Sequence, residues 1–190
     1  MKKLLPLLLF VLAAMPTFGQ RLDGPRYRGF VDGTFIKGND GIYEDFNMQG
    51  GGFTTTHGFQ FNRYIFVGGG VGYYYVNRNP NRGDIFWWPG TEHDYDSKKD
   101  TYNVVPVYAD FRVHMARSRV SPFFDAKIGT SISNDVGFFA SPSFGLRVGI
   151  KDNLGVNITL GYTVMSGLFL EYYTTACYTH SMNISLGIDF

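Results

Sequence analysis

The chain has 190 residues, a one-domain length, with a formal net charge of +1, and is 44% hydrophobic, 17% aromatic and 17% charged. That balance offers no basis for nucleic-acid binding, and the single Cys177 excludes an intrachain disulfide or a cysteine metal cluster. Charged residues fall below the roughly 25% of an average soluble domain, while Phe (18), Tyr (13) and Gly (24) are abundant, a composition that suits a secreted β-domain or a membrane β-barrel.

Residues 1–19 read as a cleaved signal peptide. Met1-Lys2-Lys3 is basic, Leu4 to Ala14 is apolar apart from Pro6, and Thr17 and Gly19 stand three and one positions before a cut ahead of Gln20. The apolar run would rise only about 16 Å as a helix, too short to span a bilayer. Removing it lowers Lys+Arg from 17 to 15 against 16 Asp+Glu, so the mature chain, 20–190, carries −1. Past the leader no stretch approaches the roughly 18 apolar residues of a spanning helix.

Eight strands follow in chain order, near 27–37, 51–62, 64–77, 101–115, 121–133, 137–151, 154–164 and 175–190. Each resolves into two columns of period two, which no helical stripe reproduces. In the first, Val31 and Phe35 outward put Arg28 and Asp32 inward. In the second and third, Gly50-Gly51-Gly52 and Gly68-Gly69-Gly70 are expected to hold bulges that shift the faces by one residue. Pro106 and Pro142 fall inside the fourth and sixth strands, where bulges are again expected. Later strands are cleaner: Phe144, Leu146, Val148 and Ile150 oppose Ser143, Gly145, Arg147 and Gly149. In the last, Met182, Ile184, Leu186, Ile188 and Phe190 oppose Ser181, Asn183, Ser185, Gly187 and Asp189.

A soluble sandwich also alternates, but its strands usually run five or six residues. These are ten or longer, enough to cross a bilayer when tilted by about 45°. Their apolar columns are uninterrupted, as a lipid face requires. The expected fold is all-β, an eight-stranded antiparallel up-and-down transmembrane barrel. Short turns fall at 61–64, 116–119 and 151–153, and longer loops at 38–50, 78–100, 134–136 and 165–174.

The elements His57-Gly58-Phe59-Gln60-Phe61-Asn62, Phe66 to Tyr73, Pro106 to Arg112, Ser121-Pro122-Phe123-Phe124-Asp125, Gly161-Tyr162 and Gly187 to Phe190 carry a family resemblance. The chain resembles outer-membrane β-barrel domain proteins of Bacteroidetes-type bacteria, distant in sequence from the OmpA and OmpX barrels. The resemblance implies an outer-membrane location, contact with outer-membrane lipid and lipopolysaccharide, and insertion by the barrel assembly machinery. That machinery is associated with a terminal aromatic and alternating apolar residues, supplied by Ile184, Leu186, Ile188 and Phe190. A monomer is expected.

The inward columns gather Arg28, Asp32, Asp110, Arg112, Asp125, Lys127, Arg147 and Asp189 in the lumen, four cations and four anions. Mutual pairing into a plug is expected, because an isolated charge in so narrow a space would be costly; the alternative is a gated ion path. Exposed-type aromatic and apolar residues in two loops, Trp87 and Trp88, then Leu168, Phe169, Leu170, Tyr172 and Tyr173, suit an aromatic girdle or a binding rim. A lipid A-modifying enzyme is a third reading. It needs a nucleophile beside a base, yet His180 and Ser181 are strand neighbours and point to opposite faces. His93-Asp94 reads as polar loop, His114 faces inward beside Arg112, and His57 faces outward, an unfavourable place for an ionisable ring. Asp94, Asp96 and Asp100 lack the rest of a calcium loop. No catalytic residue, metal or cofactor is expected.

Overall fold

The computed structural model describes residues 25–40, 46–80, 100–116, 118–132, 136–151, 154–166 and 178–190. They form β1 (Arg26–Asp40), β2 (Phe46–Gln60), β3 (Ile65–Pro80), β4 (Asp100–His114), β5 (Val120–Ile132), β6 (Val136–Lys151), β7 (Leu154–Ser166) and β8 (Tyr178–Asp189). Each strand pairs antiparallel with its sequence neighbours, and β8 closes on β1. No helix among the described residues is long and apolar enough to cross a membrane. The expected signal peptide, Trp87 and Trp88, His93 to Asp96, and Leu168 to Tyr173 lie outside the described residues.

Register fixes the barrel's shape. Following directly paired residues from Phe30 leads to Thr56, Gly70, Tyr108, Gly129, Phe139, Met165 and Thr179, and then back to β1 at Asp40. The circuit returns ten residues from its start, so the shear of the eight-stranded barrel is ten. With a rise of about 3.3 Å and a strand spacing of about 4.8 Å, that stagger tilts the strands by roughly 40°. The interior of such a barrel is just wide enough for side chains to fill.

The two columns of each strand separate as the pleat demands. Outward side chains include Val31, Phe35, Val67, Phe111, Ile128, Phe144, Leu160 and Leu186, all exposed. At that tilt the outward apolar stretches, Phe138 to Ile150 on β6 or Met182 to Phe190 on β8, make a belt about 20 to 30 Å tall. Inward, most of the bulk sits on β1, β3, β4 and β5, while β6 to β8 contribute mainly Ser, Thr, Asn and Gly.

Several expectations need correction. The glycine runs hold no bulge: β1–β2 and β2–β3 keep one register through Gly50 to Gly52 and Gly68 to Gly70. Their inward glycines instead make room for rings. A Cβ on Gly70 would lie 2.6 Å from the Tyr108 hydroxyl, and one on Gly68 2.6 Å from Cζ of Phe66. The prolines cause gaps rather than bulges. Pairing of β3 with β4 lapses between Val71↔Val107 and Tyr74↔Val104, and that of β6 with β7 between Ala140↔Val164 and Ser143↔Gly161, with the register preserved across both. Proline has no N–H to give the ladder, and at the second gap a 2.9 Å hydrogen bond joins the Ser141 and Thr163 hydroxyls. The one register shift among the described residues lies between Gly149 and Lys151. Strands β1 and β2 also run into the expected loop, with Gly38 opposite Met48 and Asn39 opposite Asn47. Ile36 and Met48 on the inward column there are buried, which extends the pairing.

Candidate functional site

Among the described residues a set of charged side chains gathers in the lumen, and strand register assembles it. Asp110 and Arg112 are two apart on β4, and Asp125 and Lys127 are two apart on β5. Antiparallel pairing sets Asp110 opposite Lys127 and Arg112 opposite Asp125, so each charge faces its opposite sign. Arg112 is fully buried. Its Nη2 lies 3.2 Å from Asp125 and 3.8 Å from Asp110, and its guanidinium carbon sits 3.9 Å from the Phe30 ring centroid and 4.7 Å from that of Phe123. A planar cation between two ring faces, with carboxylates at its edge, combines cation–π attraction with ion pairing. Lys127 continues the chain, with Nζ 3.6 Å from both Asp125 and Asp32.

A second group centres on Asp189, which is fully buried on β8. Arg147 Nε donates to it at 3.0 Å and Nη2 at 2.8 Å, Asn157 Nδ2 donates at 3.1 Å, and Arg28 Nη2 lies 3.2 Å away. Arg147 reaches across β7 to make this pair. Gly155 leaves the space, since a Cβ there would come within 2.5 Å of Asp189 Oδ1 and 2.8 Å of Arg147 Nη2. The structure thus brings all eight lumen charges into two groups: Arg28, Arg147 and Asp189 in one, Asp32, Asp110, Arg112, Asp125 and Lys127 in the other. Both lie toward the end that carries the three short turns.

The other half of the lumen holds an apolar cluster, a feature that sequence reasoning missed. Ile36, Met48, Tyr74, Val76, Val104, Tyr108, Phe139 and Met165 form one buried cluster. Alternation marks these residues as inward, but the charges and glycines of the inward columns elsewhere point to a polar lumen throughout. Beside the cluster, small polar residues of β6 to β8 and β1 bond one another. Asn183 Nδ2 donates to Thr163 Oγ1 at 2.7 Å and to Ser141 Oγ at 3.2 Å, and the Thr34 and Ser185 hydroxyls meet at 2.8 Å.

The histidines separate by face. His57 lies on the outer wall, where Tyr27 OH meets Nδ1 at 2.6 Å and Thr55 Oγ1 meets Nε2 at 2.8 Å, so both ring nitrogens are satisfied locally. The terminal Phe190 ring packs edge-on to it, and the Gly29 and Phe190 backbones exchange hydrogen bonds of 2.8 and 3.0 Å. His180 is outward with Tyr162 OH at 2.8 Å, while Ser181 is buried inside. His114 faces the lumen with Ser121 Oγ 3.5 Å from Nδ1, but that hydroxyl donates to the Ala116 carbonyl at 2.9 Å. Among the described residues no three His, Cys, Asp or Glu side chains are grouped to hold a metal.

No family model matches this sequence, and no curated protein matches it. Solved structures do. Neisserial surface protein A superposes with a TM-score of 0.58 at 12% identity, over 87% of this chain and 97% of that one. The outer membrane enzyme PagL gives 0.45 at 13% identity, over 81% and 97%. The N-terminal β-barrel domain of OprF from Pseudomonas aeruginosa gives 0.36 at 12% identity, over 87% and 100%. The first of these likenesses supports the small closed barrel as the fold. At such identity it speaks to architecture alone.

Proposed function

We propose that this chain is an integral outer-membrane protein of the small OmpA/OmpX-like barrel type, non-enzymatic, with a closed lumen. Its role is structural or rests on the segments joining its strands at the end away from the turns. The observation that carries this reading is a filled interior inside an apolar wall. Two charge groups occupy one half of the lumen and the apolar cluster the other. Paired charges so placed are worth little net stability against apolar packing, but they are costly to break, so they hold one arrangement.

The outer wall supports a bilayer as the solvent. Apolar side chains face outward on all eight strands, whereas a water-soluble barrel would hide them. Short turns at one end match the periplasmic side of this class. Ile184, Leu186, Ile188 and Phe190 form an unbroken outward column on β8, of the kind the assembly machinery reads. The chain works as a monomer among outer-membrane lipid and lipopolysaccharide. The non-catalytic reading draws on the Ser121–His114 pair, whose two members are each 4% exposed and leave a substrate no approach, and on the separation of His180 from Ser181.

Planar-bilayer recordings on the refolded mature chain test this function. Stable insertion without unitary current at any voltage is the expected result. Voltage-dependent steps would replace it with a gated pore. Lipid A whose acylation changes when the gene is deleted, as read by mass spectrometry, would replace it with an enzyme.

A further inference from the structure

The turn end of the barrel is basic. Arg63 lies in the β2–β3 turn, Arg119 in the β4–β5 turn and Lys151 at the β6–β7 turn, and all three are exposed. Each adjoins an outward apolar side chain at the edge of the belt: Phe61 beside Arg63, Val120 beside Arg119, and Ile150 beside Lys151. Arg119 is held in place, since its Nε donates to the Gly149 carbonyl at 2.9 Å and its own carbonyl accepts from Gly149 N at 2.8 Å. The sequence joining the strands at the opposite end has the reverse balance: segments 41–45, 81–99, 133–135 and 167–177 contain eight acidic and three basic residues. At the turn end Asp152 is the acid that the joining sequence supplies.

We propose that these three cations form a collar that binds the phosphates of anionic phospholipids in the leaflet at the turn end. Cations set just beyond an apolar girdle stand at headgroup depth, where a phosphate can reach them while its acyl chains lie along the belt. The sequence joining the strands at the opposite end, with its excess of acidic residues, offers those headgroups no matching excess of cations.

This inference rests on the outer-membrane reading, and the test separates the two. The mature chain is refolded into vesicles of phosphatidylcholine alone or mixed with phosphatidylglycerol, and lipid retained after detergent extraction is measured by native mass spectrometry. The wild type is expected to retain phosphatidylglycerol over phosphatidylcholine, by about fivefold for each cation engaged. Arg63→Gln with Lys151→Gln, which leaves the Arg119 hydrogen bond intact, is expected to lose most of that preference. Arg63→Lys with Lys151→Arg is expected to keep it. Insertion into both vesicles with equal retention of the two lipids, or a preference unchanged in the Gln variant, overturns the collar and leaves the membrane barrel standing. Failure to insert into either vesicle overturns both.

Discussion

Arg112 shows how much depends on one side chain in the lumen. Its guanidinium faces Asp125 and Asp110 from a fully buried position between Phe30 and Phe123. Arg112→Met roughly keeps the volume and removes the charge, which leaves buried Asp110 without its ion-pair partner and Asp125 with Lys127 alone. A loss of about 3–5 kcal/mol in unfolding free energy is expected, measured by urea titration in detergent micelles with far-UV circular dichroism. Adding Asp110→Asn and Asp125→Leu to that variant is expected to recover most of the loss, since the ion-paired set around Arg112 is then replaced as a whole while Lys127 keeps Asp32. Recovery of less than half would mean that Arg112 stabilises through its rings rather than its ion pairs. On the outer wall Tyr27 and His57 make the same point for a neutral pair. Tyr27→Phe leaves His57 Nδ1 facing lipid unpartnered, at a cost of about 1–3 kcal/mol, whereas Tyr27→Phe with His57→Leu is expected to be close to neutral. An additive double variant would show that the 2.6 Å contact carries no coupling.

At the level of the strand, period-two alternation made most of the fold readable. β8 is the clearest case: Met182 to Phe190 outward and Ser181 to Asp189 inward follow from the residues alone, and every position falls on its expected face. The opposed order of charges on β4 and β5, Asp-x-Arg against Asp-x-Lys, is equally legible once the strands are known to be antiparallel. Less legible was anything that depends on side-chain volume across the lumen. The glycines of β2 and β3 suggest bulges when read along one strand, and their reason appears only when Phe66 and Tyr108 arrive from elsewhere. His57 was unexplained for the same cause, because its partner Tyr27 is thirty residues away. The belt itself predicts a graded response along β8. Leu186→Arg, deep in the apolar column, is expected to cost about 2–4 kcal/mol in lipid, against little for Ser185→Thr in the lumen, which keeps the hydroxyl that meets Thr34. Equal costs in refolding titrations would show that the outward face of β8 does not meet lipid.

For the molecule as a whole, the filling of the interior and the apolar exterior are written on different faces of the same strands. Away from the turns, the described side chains that fill the lumen include Tyr74, Tyr108 and Phe139. Tyr74→Ala with Tyr108→Ala is therefore expected to admit small solutes in a liposome-swelling assay while the wild type excludes them, with both proteins shifting on unheated electrophoresis as folded barrels do. Equal exclusion by the two would place the barrier in the charge groups instead. The inward glycines of β2 and β3 give this wall a further consequence. Where the wall carries no side chain, the filling is supplied by a few rings leaning on bare backbone. Point substitutions at those rings would open or close the interior and leave the outward apolar column as it is.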